Sequence, residues 1–398
     1  MKFTFKHTKY ACYFAYISTA ITNNIGSLLF FTFYKQFGIS EHLLALLVTI
    51  NFATQVAVDL LGAKYADRIG YRPLLYVAFS SCILGLLSMG LLPSVLPIPY
   101  IGLCISSVLF AIGGGLGEVL ISPLIEALPG DEKASAMSIL HSFYCWGVVL
   151  VVALSAVFFK FIGTVKWQLL PLLWAIVPLS TLILFTRVPI RTLSDDAPTL
   201  TVKRLFGNCK FWFFALLMLC GGAAELVVAQ WSSMLAESAL GVSKATGDLL
   251  GPCFFSVCMG VIRAIYGKLG DKLPLVPALF ISAIISLTGY IVIFAVENSY
   301  LALAGCGLVG IGVALFWPGI LSYASRKIPS GGTAMFALLA VFGDLGCAIA
   351  PEATAIVASI GENDLRDGIF AGAIFPLVIA ASTLFLILKK NTAKNTAK

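Results

Sequence analysis

Two glutamates stand inside long apolar runs of this chain, Glu118 within residues 100–121 and Glu225 within residues 211–235. An ionisable side chain in such a run is costly to hold and normally faces a partner or a wet cavity. Glu118 shares a helix face with Gly114 and Ser122, and Glu225 with Gly221, Ala229 and Ser232, by their three- and four-residue spacing. Carboxylates so placed can bind a cation, pass on a proton or accept from the hydroxyls of a small solute. A hydrogen bond to a neighbouring helix is the plainer alternative. Gln230 and Trp231 lie further round the run of Glu225. In the first run Tyr16, Thr19, Asn23 and Ser27 recur on one face, with Asn24 beside them.

A fifth run, residues 138–147, is dense in hydrogen-bonding aromatics: His141, Tyr144 and Cys145 share one face, Phe143 and Trp146 another. Aromatic faces set against amides and acids are what a sugar needs, the rings for its C–H surfaces and the polar groups for its hydroxyls. Trp and Tyr near the ends of apolar runs also form interfacial belts, and His141 suits packing equally well. No nucleophile elbow, zinc-binding His-Glu-x-x-His or phosphate-binding loop occurs in the chain. An enzyme is therefore not expected, nor a cofactor beyond a coupling ion.

The elements that must hold these residues follow from composition. Of 398 residues 59% are apolar and only 11% charged, with a mean hydropathy of +0.97. Soluble domains carry about a quarter charged residues; this chain has too few to coat a globule. The expected class is an all-α membrane protein. The net charge of +7 is spread between the apolar runs, which reads as topology and not as a nucleic-acid surface. The ten cysteines lie in or at the ends of these runs and read as buried small hydrophobes.

Twelve runs are long enough for spans, since a helix crosses hydrocarbon in about 20 residues. They cover residues 10–34, 42–61, 74–92, 100–121, 136–159 and 169–185, then 211–235, 249–265, 275–296, 302–323, 334–358 and 369–388. With the N-terminus inside, every one of the 26 basic residues falls on the cytoplasmic side except Lys35, Lys160, Lys166, Lys244 and Arg366. The positive-inside rule thus puts both termini in the cytoplasm. The first run is too long and too polar for a cleavable signal, so the N-terminus is expected to stay. Two six-helix halves, 1–188 and 210–390, are expected around a cytoplasmic loop at 189–209. A disordered polar tail is expected at 391–398, where Asn-Thr-Ala-Lys repeats.

The halves repeat each other. After span two the chain reads Ala63-Lys64-Tyr65-Ala66-Asp67-Arg68-Ile69-Gly70-Tyr71-Arg72, and after span eight Gly267-Lys268-Leu269-Gly270-Asp271-Lys272. Ala136-Met137 and Ala334-Met335 open spans five and eleven in the same way. These loops resemble the cytoplasmic signature of the major facilitator superfamily, Gly-x-Leu-Ala-Asp-Arg-x-Gly-Arg-Arg. Asp67, Arg68, Gly70 and Arg72 match it in the first copy, and Gly267, Leu269 and Asp271 in the second. Ala63 and Tyr65 depart from it, and the second copy lacks the trailing basic pair. The resemblance implies two pseudo-symmetric six-helix halves and transport by alternating access. Asp67, Arg68, Arg72, Asp271, Lys272 and Asp344 then become candidate gate residues, making contacts that exist in one state only. The alternative is that they fix topology and loop shape. Asp59 and Arg263, each eight residues before a motif aspartate, read as packing or gate charges.

The superfamily resemblance further implies that spans one, four, seven and ten line the central cavity. Trp317 in span ten joins the candidates on that ground. Asn23-Asn24, the stretch 37–40, Glu118 and the stretch 140–146 make the chain most similar to the fucose- and glucose-type sugar symporters. Glu118 would then take part in cation coupling. Asn23, Asn24, Glu118, His141, Tyr144, Trp146, Glu225, Gln230, Trp231 and Trp317 are the expected substrate residues, with Glu118 and Glu225 binding H+ or Na+. The expectation is a monomer in the cell membrane that binds a small solute and no nucleic acid. A drug or metabolite exporter of the same fold is the first rival; a lipid flippase or a membrane-embedded enzyme is the second.

Overall fold

The computed structural model describes residues 3–193, 199–241, 246–247, 249–360 and 365–395, and among these every regular element is a helix. Among the described residues, eleven helical stretches are long and apolar enough to cross a membrane. They are His42–Ile69, Tyr71–Val95, Pro99–Ala127, Lys133–Ile162, Leu169–Arg187, Cys209–Glu237, Leu249–Leu269, Leu275–Ala295, Ser299–Lys327, Pro329–Ile360 and Leu365–Lys389. These are spans two to twelve. Span one is the helix Phe5–Phe37, ample in length but outside that set. Thr19, Thr22, Asn23, Asn24 and Ser27 dilute its apolar middle. The last helix continues to Asn395.

Local chemistry sets the helix ends. Ser40 caps span two by accepting from the Leu43 amide, and Asn298 caps span ten by accepting from Tyr300 and Leu301. Gly70 alone connects spans two and three, at φ 91°, a conformation that a side chain would strain. That is the backbone reason for the glycine in the first motif.

Contacts divide the chain into two compact units. Unit one holds Met1–Gly130, Phe143–Leu205 and Ser330–Leu338; unit two holds Asp131–Ser142, Phe206–Pro329 and Leu339–Lys398. The start of span five thus belongs with the second half of the sequence, and the start of span eleven with the first.

In unit one, spans three and four meet through glycines. A side chain on Gly113 would overlap Cys82, and one on Gly85 would meet the Phe110 ring at 2.7 Å. Toward the far end, Trp167 is fully buried, set edge-on to Phe33 with its Nε1 donating to Gln36 at 2.6 Å. In unit two, spans nine and ten repeat the glycine contact at Gly289, Gly305 and Gly312. Small residues let helix backbones approach where lipid gives no hydrophobic drive to associate.

Span seven approaches span eleven just as closely, since a side chain on Gly222 would overlap the Gly343 carbonyl and one on Gly346 the Leu219 carbonyl. Gly346→Val should therefore push the two helices apart, costing about 1–3 kcal/mol or more. A lowered thermal midpoint of the purified protein would show it, whereas Ala348→Val, on the exposed face of the same helix, should leave the midpoint in place. Leu61, Leu84, Phe161, Ile281 and Phe385 are more than half exposed, and so form the kind of surface a bilayer covers.

Candidate functional site

Unit one gathers oxygens on one face of span four. Tyr16 and Ser122 share a hydrogen bond of 2.8 Å that ties span one to span four. The glycine run 113–117 then makes room for polar side chains from two directions. The place of a Cβ on Gly114 lies 3.3 Å from Asn23 Oδ1 and 3.7 Å from Gln55 Oε1. That of Gly117 lies 3.2 Å from Thr19 Oγ1, and that of Gly115 lies 2.9 Å from Asp59 Oδ1. A methyl at any of these positions would crowd the group it faces. Asp59 is fully buried, Gln55 nearly so and Glu118 partly. A carboxylate oxygen of Asp59 and one of Glu118 lie within 4.8 Å of each other. Two carboxylates this close repel unless a proton or a cation stands with them. Asn23 brings a buried, unbonded Oδ1 to this niche. Asn24 does not, for its amide donates to the Ala20 carbonyl of its own helix at 2.8 Å.

Further along unit one, Phe143 stacks on Tyr13 with centroids 4.4 Å apart, and Gly147 packs on Ile17 and Ala20. Span five therefore lies against span one where Tyr144 and Trp146, both half-buried, are placed.

Unit two is built around a buried ion pair. Arg263 of span eight is 2% exposed and places Nη2 3.2 Å from Glu225 Oε2 of span seven. Its Nε donates to the Ala314 carbonyl at 2.9 Å and its Nη1 to the His141 carbonyl at 3.4 Å. Ser138 donates to the carbonyl of Arg263 itself at 2.7 Å. Four spans meet on one guanidinium. Trp231 donates to the Pro351 carbonyl at 3.2 Å, and Gln230 is exposed. The Trp317 ring lies on Gly343, next to the buried Asp344.

The repeated loops carry a second polar set. In unit one Asp67 accepts from Thr333 at 2.5 Å and from Thr199 at 3.3 Å, and Thr333 also bonds Tyr71 at 2.6 Å. In unit two Ser135, the repeat counterpart of Thr333, donates to the Gly267 carbonyl. Thr333 and Ser135 thus both tie the start of a span to a repeated loop, one through a carboxylate and the other through a backbone carbonyl. Arg72 has a different task from Asp67, donating to the Phe185, Thr186 and Val188 carbonyls at the end of span six. Arg68 and Lys272 are exposed, and the Asp271 side chain lies outside the described residues. Thr333→Val keeps the shape of the side chain but removes the hydroxyl shared by Asp67 and Tyr71. It should cost about 1–3 kcal/mol, seen as a lower thermal midpoint, while Thr333→Ser stays near the parent.

Gln55, Asp59 and Arg263 were not expected at a site. Gln55 offered no signal, whereas Asp59 and Arg263 were visible as intramembrane charges.

This architecture defines a class, a multi-pass helical membrane protein with buried polar clusters between its spans. The model of the Major Facilitator Superfamily matches residues 12–351, and the chain belongs to that family of membrane transporters. No curated protein sequence matches it. Among solved structures it is similar to the transporter FucP in an outward conformation, with a TM-score of 0.79 at 14% identity, over 95% of this chain and 98% of that one. A second structure, of the Escherichia coli fucose:proton symporter FucP, gives 0.79 at 13% identity over 96% and 98%. The proton:xylose symporter XylE, bound to 6-bromo-6-deoxy-D-glucose, gives 0.81 at 14% over 94% of each chain.

Proposed function

We propose that the protein carries a small hydroxylated solute, a sugar, by alternating access coupled to H+ or Na+. The observation that carries this reading is the niche of unit one, where Asp59 and Glu118 bring carboxylates together beside Asn23, Gln55 and Thr19. Such a set suits a proton or a small hard cation, which takes oxygen ligands, and its acids stand in the middle of spans two and four. The aromatic residues Tyr144 and Trp146 of the same unit supply faces for the C–H surfaces of a sugar. The FucP and XylE structures are of a fucose:proton symporter and a proton:xylose symporter, which supports the same substrate class here.

In this account the bond from Thr333 to Asp67 belongs to a gate that must break when access changes. Both termini and the gate lie on the cytoplasmic side, in the cell membrane. Screening the purified protein by thermal shift against hexoses and pentoses, with and without sodium and at two pH values, tests the assignment. One sugar should raise the midpoint, and raise it further with its coupling ion. Shifts confined to lipophilic cations would favour an exporter instead.

A further inference from the structure

Span ten is broken at its centre, and the break has an identifiable cause. The helix Ser299–Val313 stops before Ala314 and Leu315, and a second helix begins at Phe316. Pro318 stands four residues after Ala314 and has no amide hydrogen to give it, so the Ala314 carbonyl loses its place in the ladder. The ladder resumes one residue on, where the Gly319 amide donates to Leu315 at 2.8 Å. Arg263 fills the gap, its Nε donating to Ala314 at 2.9 Å. The same guanidinium holds Glu225. One side chain therefore caps a helix break and neutralises an intramembrane acid.

We propose that Arg263 is a positioning residue that joins Glu225 to the break in span ten, so that loading Glu225 with its cation or proton frees the break to open. The inference rests on the reading of Glu225 as a coupling acid. When Glu225 carries no net charge, the guanidinium loses this charged partner and one of the contacts that orient it. The Ala314 carbonyl then loses a charge-assisted partner in a place where water is scarce. The segment from Phe316 becomes able to swing, and with it Trp317, whose ring lies on Gly343 beside Asp344. Among the described residues, span eleven brings Asp344 next to Gly343, on which the Trp317 ring lies. Span five presents His141, span seven Glu225 and span eight Arg263, and residues 311–320 of span ten carry no ionisable side chain.

The test uses the full chain in proteoliposomes and reads two quantities, sugar binding and sugar exchange without a gradient. Pro318→Ala restores the missing amide hydrogen and closes the break. It should leave binding within about twofold and slow exchange about tenfold. Arg263→Lys keeps a positive charge for Glu225 but cannot serve three acceptors with a planar fork. It should free the break whatever the state of Glu225, changing the exchange rate about tenfold alone, and should have little further effect once Pro318→Ala is present. Effects that multiply independently would overturn the proposal, leaving Arg263 as a counter-ion only.

If either variant does not fold, amide hydrogen exchange over residues 314–320 of the unaltered protein takes its place. Exchange should rise several-fold on adding the coupling ion, and an unchanged rate would sink the idea. Glu225→Gln separates the two readings. Ion-driven accumulation that survives it removes Glu225 from coupling, whereas the Arg263–Pro318 interaction is scored without any gradient.

Discussion

Arg263→Ala should be the most damaging single substitution in unit two, costing about 3–5 kcal/mol, the usual toll of leaving one partner of a buried pair alone. The residue is 2% exposed, and its removal strips Glu225 of its counter-ion and both Ala314 and His141 of a donor. The expected outcome is protein that inserts poorly and elutes as aggregate. The double variant Arg263→Met with Glu225→Leu removes both charges together and should recover much of the lost stability, though not transport. Size-exclusion profiles and thermal midpoints of the three proteins decide the matter. If the double variant is no better than Arg263→Ala, the ion pair is not the source of the cost.

Glu118→Gln should have the largest effect on function. The substitution keeps size and hydrogen bonding but removes the charge that Asp59 must share. Ion-driven accumulation should fall about 100-fold, while exchange of sugar across the membrane without a gradient persists. That split distinguishes a coupling acid from a substrate ligand, whose loss would weaken exchange through a raised KM as well. Asp59→Asn should show the same split. Asn24→Ala should show neither effect, because the Asn24 amide is spent on its own helix.

Much of this protein was legible in its sequence for one reason: hydrocarbon tolerates few solutions. Apolar run length gave twelve spans, and the paired motifs at Asp67 and Asp271 gave the family. Of the polar face read in span one, Tyr16, Thr19 and Asn23 are turned to span four, whereas Ser27 is exposed and donates to the Asn24 carbonyl of its own helix. The clusters were harder to see. Asp59 precedes Asp67 by two helical turns and Arg263 stands likewise before Asp271, so both read as packing or gate charges. Side-chain direction adds what spacing could not give, since Asp59 points at Gly115 and Arg263 at Glu225. Gln55 had no distinguishing neighbour in sequence. In the glycine run at 113–117, Gly113 serves close packing against Cys82. Gly114, Gly115 and Gly117 also clear space for amide, acid and hydroxyl groups.

The same limit applies to span ten. Pro318 announces a break by its chemistry alone. Nothing in the sequence says which donor, 51 residues away along the chain, takes up the freed carbonyl. Local rules predict where a backbone group is orphaned; only packing reveals who satisfies it.

The central claim is that an ion gradient drives a sugar through this protein. The measurement is uptake of labelled hexoses and pentoses into proteoliposomes under an imposed pH gradient, an imposed sodium gradient, or neither. The account predicts that one sugar accumulates transiently above its external concentration under one of the two gradients, and only equilibrates without them. Equilibration alone under all three conditions, for every sugar that binds, would contradict it.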